Sequence, residues 1–157
     1  MSKWLSFSLL VLVLDQLTKW LAVTRLDYGE PVPVLSWFNL TLVYNRGAAF
    51  SFLSQAGGWQ RWFFTVVGGG AVVIIVFWLR RLSSHERWTA AGLALILGGA
   101  VGNLVDRVRL GYVVDFIDWH YGGWHWPAFN IADSAITVGA VLLILDMLMR
   151  REREQGA

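Results

Sequence analysis

The sequence predicts an α-helical integral membrane protein: four transmembrane helices with a small β-sheet element at one membrane surface. Three observations predict it. The chain has 157 residues, of which 56% are hydrophobic and only 15% charged, and its mean hydropathy is +0.51; a soluble domain of this size needs far more polar surface. Four apolar stretches of spanning length lie at about 4–23, 62–79, 88–105 and 128–149, and roughly 20 residues cross a bilayer. The basic residues gather at Lys3, at Arg80, Arg81 and Arg87, and at Arg150, Arg151 and Arg153, between or beyond those stretches. The whole chain, 1–157, reads as one membrane-embedded domain.

The first stretch opens like a signal peptide, with Lys3 before an apolar run, but the run continues past Asp15 to Val23 without a small-x-small site. It is expected to be a retained helix. Asp15 and Lys19 stand four residues apart inside it and share a face, so they pair and turn toward neighbouring helices. Residues 24–58 leave the membrane: Arg25, Asp27, Gly29, Glu30, Pro31 and Pro33 mark the exit, and Phe38 to Leu42 alternates with the period of a half-buried strand. Phe38, Leu40 and Leu42 are expected toward lipid or substrate. Asn45-Arg46-Gly47 reads as a turn, and Ala48 to Leu53 is apolar but too short to span.

The second stretch carries Gly68-Gly69-Gly70 and the third carries Gly98-x-x-x-Gly102. Both are expected to be faces of close helix packing. The third ends in Asn103, Asp106 and Arg107, a polar cluster on one helical face. Residues 108–127 form a second non-spanning connection, with Asp115 ending a polar turn. The fourth stretch opens with Asn130 and Asp133 and closes with Asp146, expected to pair locally with nearby arginines. Ten tryptophans are present; Trp4, Trp20, Trp78 and Trp88 fall at the ends of apolar runs, where amphipathic rings anchor.

The arginines orient the chain. Both termini and the Arg80–Arg87 loop share one basic side, which is the cytoplasmic side, and the connections 24–58 and 108–127 face outward. Asp15 and Lys19, the Asn103–Arg107 cluster, and Asn130 with Asp133 are thereby delivered to one level near the outer leaflet. Carboxylates kept at that depth need a reason.

Several chemistries are unsupported. The chain has no cysteine, which excludes a disulfide framework and thiolate catalysis. His85, His120 and His125 show no metal-ligand spacing, Ser134 has no histidine base, and no phosphate loop or basic-aromatic nucleic-acid surface is visible. Paired carboxylates remain, with Asp115 and Asp133 flanking one aromatic loop. Two such groups share a proton and can activate water. From spacing alone three readings stay open: an aspartic peptidase, a proton-coupled transporter or channel, and a non-enzymatic membrane partner. Transport is the weaker of the first two, since no polar path continues across the bilayer.

Five motifs in order narrow this: Asp15-Gln16-Leu17-Thr18-Lys19, Asn45-Arg46-Gly47-Ala48-Ala49-Phe50, Gly98 to Arg107, Val114-Asp115-Phe116, and Pro127 to Ser134. Together the set resembles that of the bacterial lipoprotein signal peptidase (signal peptidase II) family, over nearly the whole chain. The one departure is Trp126, where the family often has Phe. The resemblance implies an aspartic endopeptidase of the bacterial inner membrane that cuts a prolipoprotein before its diacylglyceryl-modified cysteine. It implies Asp115 and Asp133 as the catalytic pair, with Asn45, Asn103, Arg107 and Asn130 binding substrate or bracing the acids. Asp15 with Lys19, and Asp106 with Arg107, are then supporting polar contacts. It further implies a monomer, membrane lipid and diacylglyceryl-prolipoprotein as partners, and no metal or organic cofactor. The implied fold has four helices, a small periplasmic β-sheet from the first connection, and a mobile segment over the site.

Overall fold

The structure, a computed structural model, describes residues 2–47 and 58–155, with side chains through Arg151. Helix α1 covers Ser2–Arg25, strands β1 and β2 cover Val32–Leu35 and Phe38–Asn45, and helices α2 and α3 cover Trp59–Arg81 and Arg87–Arg109. Strands β3 (Val113–Tyr121) and β4 (Trp124–His125) follow, and α4 runs over Ile131–Gln155. All four helices are long and apolar enough to cross a membrane. The expected apolar stretch Ala48 to Leu53 lies outside the described residues.

Helix α3 is the centre of the bundle and packs against α1, α2 and α4. Its small residues make this possible. A Cβ at Gly98 would lie 2.6 Å from the Ser8 carbonyl oxygen of α1, and one at Gly102 would lie 2.5 Å from an Asp15 carboxylate oxygen. The backbones meet because these side chains are missing, as the spacing predicts. Gly68-Gly69-Gly70 behaves otherwise. Among the described residues, no neighbouring segment comes within 4 Å of a Cβ placed at Gly69 or Gly70, and one at Gly68 reaches only Leu104 at 4.0 Å. The triplet is on the open side of α2, so the expected packing face there is corrected. Apolar side chains such as Leu9, Val13, Val66, Ile74, Val141 and Ile144 are exposed on the outside of the bundle, where hydrocarbon is their natural solvent.

The sheet differs from the expected one, which used the first connection alone. Its order is β1-β2-β3-β4, all antiparallel, so both connections build it. Val113, Val114, Asp115 and Phe116 are all buried, and a strand covered on both faces shows no alternation to read. Asp115 therefore sits within a strand and does not end a turn. Leu42 is 2% exposed and joins Ala22, Val114 and Phe116 in a core that fastens the sheet to α1. It does not face lipid or substrate. A register shift between Leu40 and Val43 breaks the period-2 pattern that suggested it did.

Two helix ends position the site. Helix α3 stops at Gly111, whose φ of 85° suits glycine, and whose N–H donates to the Arg107 carbonyl at 3.2 Å. Helix α4 begins at Ile131, about three residues later than the apolar run suggested. The cause is Asn130: its side-chain oxygen accepts the Asp133 N–H at 2.9 Å and caps the helix.

Candidate active site

The polar residues of α1, β2, α3, β3 and α4 converge at one end of the bundle in a continuous hydrogen-bonded cluster. At its base is Lys19, 3% exposed. The ammonium group has three donors, and it donates to Asp15 Oδ2, Asp106 Oδ2 and Asn103 Oδ1, each at 2.9 Å. Asp15 is fully buried and also accepts the Ala132 N–H at 2.9 Å, in the first turn of α4. A carboxylate is favoured there by the helix dipole and the orphan N–H groups. Asp106 accepts from Gln16 Nε2 at 2.9 Å and from the Val114 N–H at 3.2 Å. Asp106 and Arg107, adjacent on the helix, project in different directions, and Asp106 bonds α1 and β3.

Above this base lie two asparagines whose orientations are forced by donors. Because Lys19 can only donate, Asn103 must turn its oxygen to it, which aims Asn103 Nδ2 at Asp133 Oδ1, 2.7 Å away. Because Asn130 spends its oxygen on the Asp133 N–H, its Nδ2 donates to Asp115 Oδ1 at 2.7 Å and contacts Asn103 Oδ1 at 3.2 Å. Asn45, at the end of β2, donates to Asp115 Oδ2 at 3.0 Å. The two carboxyl groups are thus joined through Asn130 and Asn103, each receiving an amide N–H. Asp115 is 1% exposed. Burial first, and then the nearby Asp133 charge, push its carboxyl up to about 7, against the opposing effect of the Asn45 and Asn130 hydrogen bonds.

Asp133 lines a cavity of about 460 Å³ together with Asn45, Asn103 and Arg107. The remaining wall is largely apolar and includes Trp119, Trp126, Phe129 and Val138. Val138 is an exposed residue of α4, so the cavity reaches the lipid-facing side of that helix. Arg107 contributes the cation. Its guanidinium lies 5.6 Å from the Phe64 ring centre and 3.4 Å from the Gly47 carbonyl oxygen.

Asp15, Lys19, Asn45, Asn103, Asp106, Arg107, Asp115, Asn130 and Asp133 are therefore brought together at this end of the bundle. The expected local pair of Asp146 is also formed, with Arg150 at 2.9 Å, at the opposite end of the bundle. Two contributors were not singled out. Gln16 bridges Asp106 and the Gly102 carbonyl, and a polar residue inside a spanning helix was its signal. Arg61 of α2 donates to the Arg107 and Val108 carbonyls at 2.9 and 2.7 Å. It fastens the end of α3 that carries Arg107. Its signal was a cation just inside the start of an apolar span.

The chain is similar to known proteins over nearly its whole length. A family described as Signal peptidase (SPase) II matches residues 7–149. The lipoprotein signal peptidase of Acinetobacter baumannii is 59% identical over 155 residues, covering 98% of this chain and 88% of that one. That of Burkholderia mallei is 57% identical over 150 residues, covering 96% and 90%. A solved bacterial membrane enzyme superposes with a TM-score of 0.88 at 30% identity, covering 98% of this chain and 92% of the other. With its motifs, its four helices and this extent of similarity, the chain belongs to the signal peptidase II family.

Proposed function

We propose that the chain is an aspartic endopeptidase in which Asp115 and Asp133 form the catalytic pair. Membership of the family makes it a peptidase that removes signal peptides from prolipoproteins; the proton-coupled transporter is not favoured. The single observation that carries the aspartic reading is the Asp115–Asn130–Asn103–Asp133 chain of hydrogen bonds at the wall of an apolar cavity.

In this mechanism the pair shares one proton, because two close carboxyl groups do not both ionise. The ionised member takes a proton from water as it attacks the scissile carbonyl. The protonated member polarises that carbonyl and later supplies a proton to the leaving amine. Their titration belongs to the pair. Asn45, Asn103 and Asn130 keep both carboxyl groups in place as acceptors, and Lys19 with Asp15 and Asp106 fixes the asparagines from below. Arg107 offers its guanidinium to a substrate carbonyl at the cavity wall. The apolar wall and its opening toward lipid suit a peptide whose cysteine carries diacylglyceryl, with cleavage just before that cysteine.

The whole chain, 1–157, acts as one domain and as a monomer in the bacterial inner membrane, and no metal or organic cofactor takes part. The basic residues Lys3, Arg80, Arg81, Arg87 and Arg150 put both termini on the cytoplasmic side and the acidic pair on the periplasmic side. Cysteines introduced at Tyr121 and His85 should label from opposite sides of the membrane. Labelling of both from one side would overturn the orientation.

The testing experiment incubates purified protein in detergent with a diacylated prolipoprotein and follows the signal peptide by gel mobility. Wild-type protein is expected to release it, whereas Asp115→Asn and Asp133→Asn proteins leave the substrate intact. Normal cleavage by both variants would refute the aspartic assignment.

A further inference from the structure

Asp118 lies outside the cluster described above, three residues further along β3, and is also buried at 6% exposure. Three donors from other segments converge on it. Asn39 Nδ2 of β2 donates at 2.9 Å, Thr41 Oγ1 lies at 3.5 Å, and His125 Nδ1 of β4 lies at 2.8 Å from Oδ1 and 3.0 Å from Oδ2. The hydrogen bonds from Asn39 and His125 outweigh burial and hold the Asp118 carboxyl below its ordinary range. An ionised carboxylate only accepts, so His125 Nδ1 carries the hydrogen in this contact whether or not the ring is charged.

The contact ties down a very short strand. Strand β4 is two residues long, and its pairing with β3 joins His120 to His125 and Tyr121 to Trp124. The rings of His120 and His125 stack at 5.1 Å. The next residue, Trp126, donates its N–H to the Trp119 carbonyl at 2.7 Å. Trp119 and Trp126 are both walls of the cavity that holds Asp133. Trp119 in turn packs edge-on against Phe129, at 5.1 Å. Two residue pairs of sheet are a weak anchor for such a wall. The buried carboxylate of Asp118, shared between β2 and β4, supplies the missing constraint.

We propose that Asp118 and His125 are positioning residues that set the aromatic wall of the cavity, and so govern substrate capture without entering the chemistry. Neither touches Asp115 or Asp133 through the contacts above. Their influence passes through Trp126 and Trp119.

This inference rests on the peptidase reading, so its test pairs an activity readout with one that needs no turnover. The variants are His125→Ala, Asp118→Leu, the double variant, and His125→Asn, which keeps a side-chain N–H donor. The substrate is the diacylated prolipoprotein in detergent, and each variant is compared at matched thermal unfolding temperature. His125→Ala and Asp118→Leu are each expected to raise KM about threefold to tenfold with kcat within about twofold, the scale of one hydrogen bond to a charged group with a half-exposed partner. The double variant is no worse than either single one, because both remove the same constraint, and His125→Asn recovers part of the loss. In parallel, hydrogen exchange of the Trp126 amide accelerates in both single variants. An unchanged KM with unchanged Trp126 protection overturns the proposal, as does a fall in kcat at constant KM, which locates the effect at the acids. If even wild-type protein leaves the substrate uncleaved, the peptidase reading fails. The exchange measurement then still decides whether the pair holds the wall.

Discussion

Replacing either member of the acidic pair by asparagine isolates the proton chemistry, because the side chain keeps its shape. At position 115 the consequence can be worked from the contacts. The carboxylate accepts from Asn130 at 2.7 Å and from Asn45 at 3.0 Å. An amide presents one oxygen and one NH2, so one of these donors then meets another donor. That mismatch costs about 1–3 kcal/mol of stability in a buried site and is read separately by thermal unfolding. The catalytic loss is larger. General acid–base assistance is worth about 10²–10⁴-fold, or about 2.7–5.4 kcal/mol of barrier at 1.36 kcal/mol per decade. Asp115→Asn and Asp133→Asn are each expected to lose at least that much in cleavage rate. The double variant should lose little more, since groups acting as one unit fail together. The assay is single-turnover release of the signal peptide at equal amounts of folded protein. A single variant retaining a tenth of wild-type turnover, or a double variant whose losses multiply, would show that the two acids do not share one task.

Other consequences are read mainly from stability. The Asp115 carboxyl is held near 7 in the folded chain against an ordinary 3.8, so the native state binds its proton more tightly than the unfolded chain does. Stability is therefore greatest at the acid end and falls as pH rises from about 4 through 7; melting temperature against pH should show this slope, and Asp115→Asn should flatten it. Lys19→Met leaves Asp15 and Asp106 buried without their cation, a change expected to cost about 3–5 kcal/mol, visible as loss of folded protein in detergent. Asp15→Asn leaves one oxygen where Lys19 and the Ala132 N–H each used a different one, so it should lose stability while retaining measurable cleavage. Gly102→Ala, which meets Asp15 directly, should destabilise, whereas Gly69→Ala on the open side of α2 should gain up to about 1 kcal/mol from helix propensity. Equal effects of the two alanines would contradict the packing described here.

The helices and the site's level in the bundle were legible because apolar run length and polar intrusions are strong signals in a membrane protein. Asp15, Lys19, Asn103, Asp106, Asn130 and Asp133 each interrupt an apolar context, and the cost of doing so marked them. The sheet was half legible. Strand β2 announced itself through alternation, but β3 is buried on both faces and carries Asp115 and Asp118 within it, so its polar residues disguised a strand as a turn. The glycine motifs divided for a similar reason. Gly98 and Gly102 share a helical face with buried residues of α3, while Gly68 to Gly70 spread around α2, and composition alone does not say which side of a helix meets a neighbour. Which hydrogen each asparagine offers, and to which acid, follows from Lys19 and the start of α4, and such long-range donors leave no trace in local sequence.

The wiring of the acidic pair also bears on how the protein is made. Asp115 is held by Asn45, which lies 70 residues earlier, and Asp15 by the Ala132 N–H, 117 residues later. The cluster is thus closed only by the last helix, which brings Asp133 to Asn103 and, through its capping residue, Asn130 to Asp115. Assembly of the last helix and completion of the acidic pair are therefore a single event.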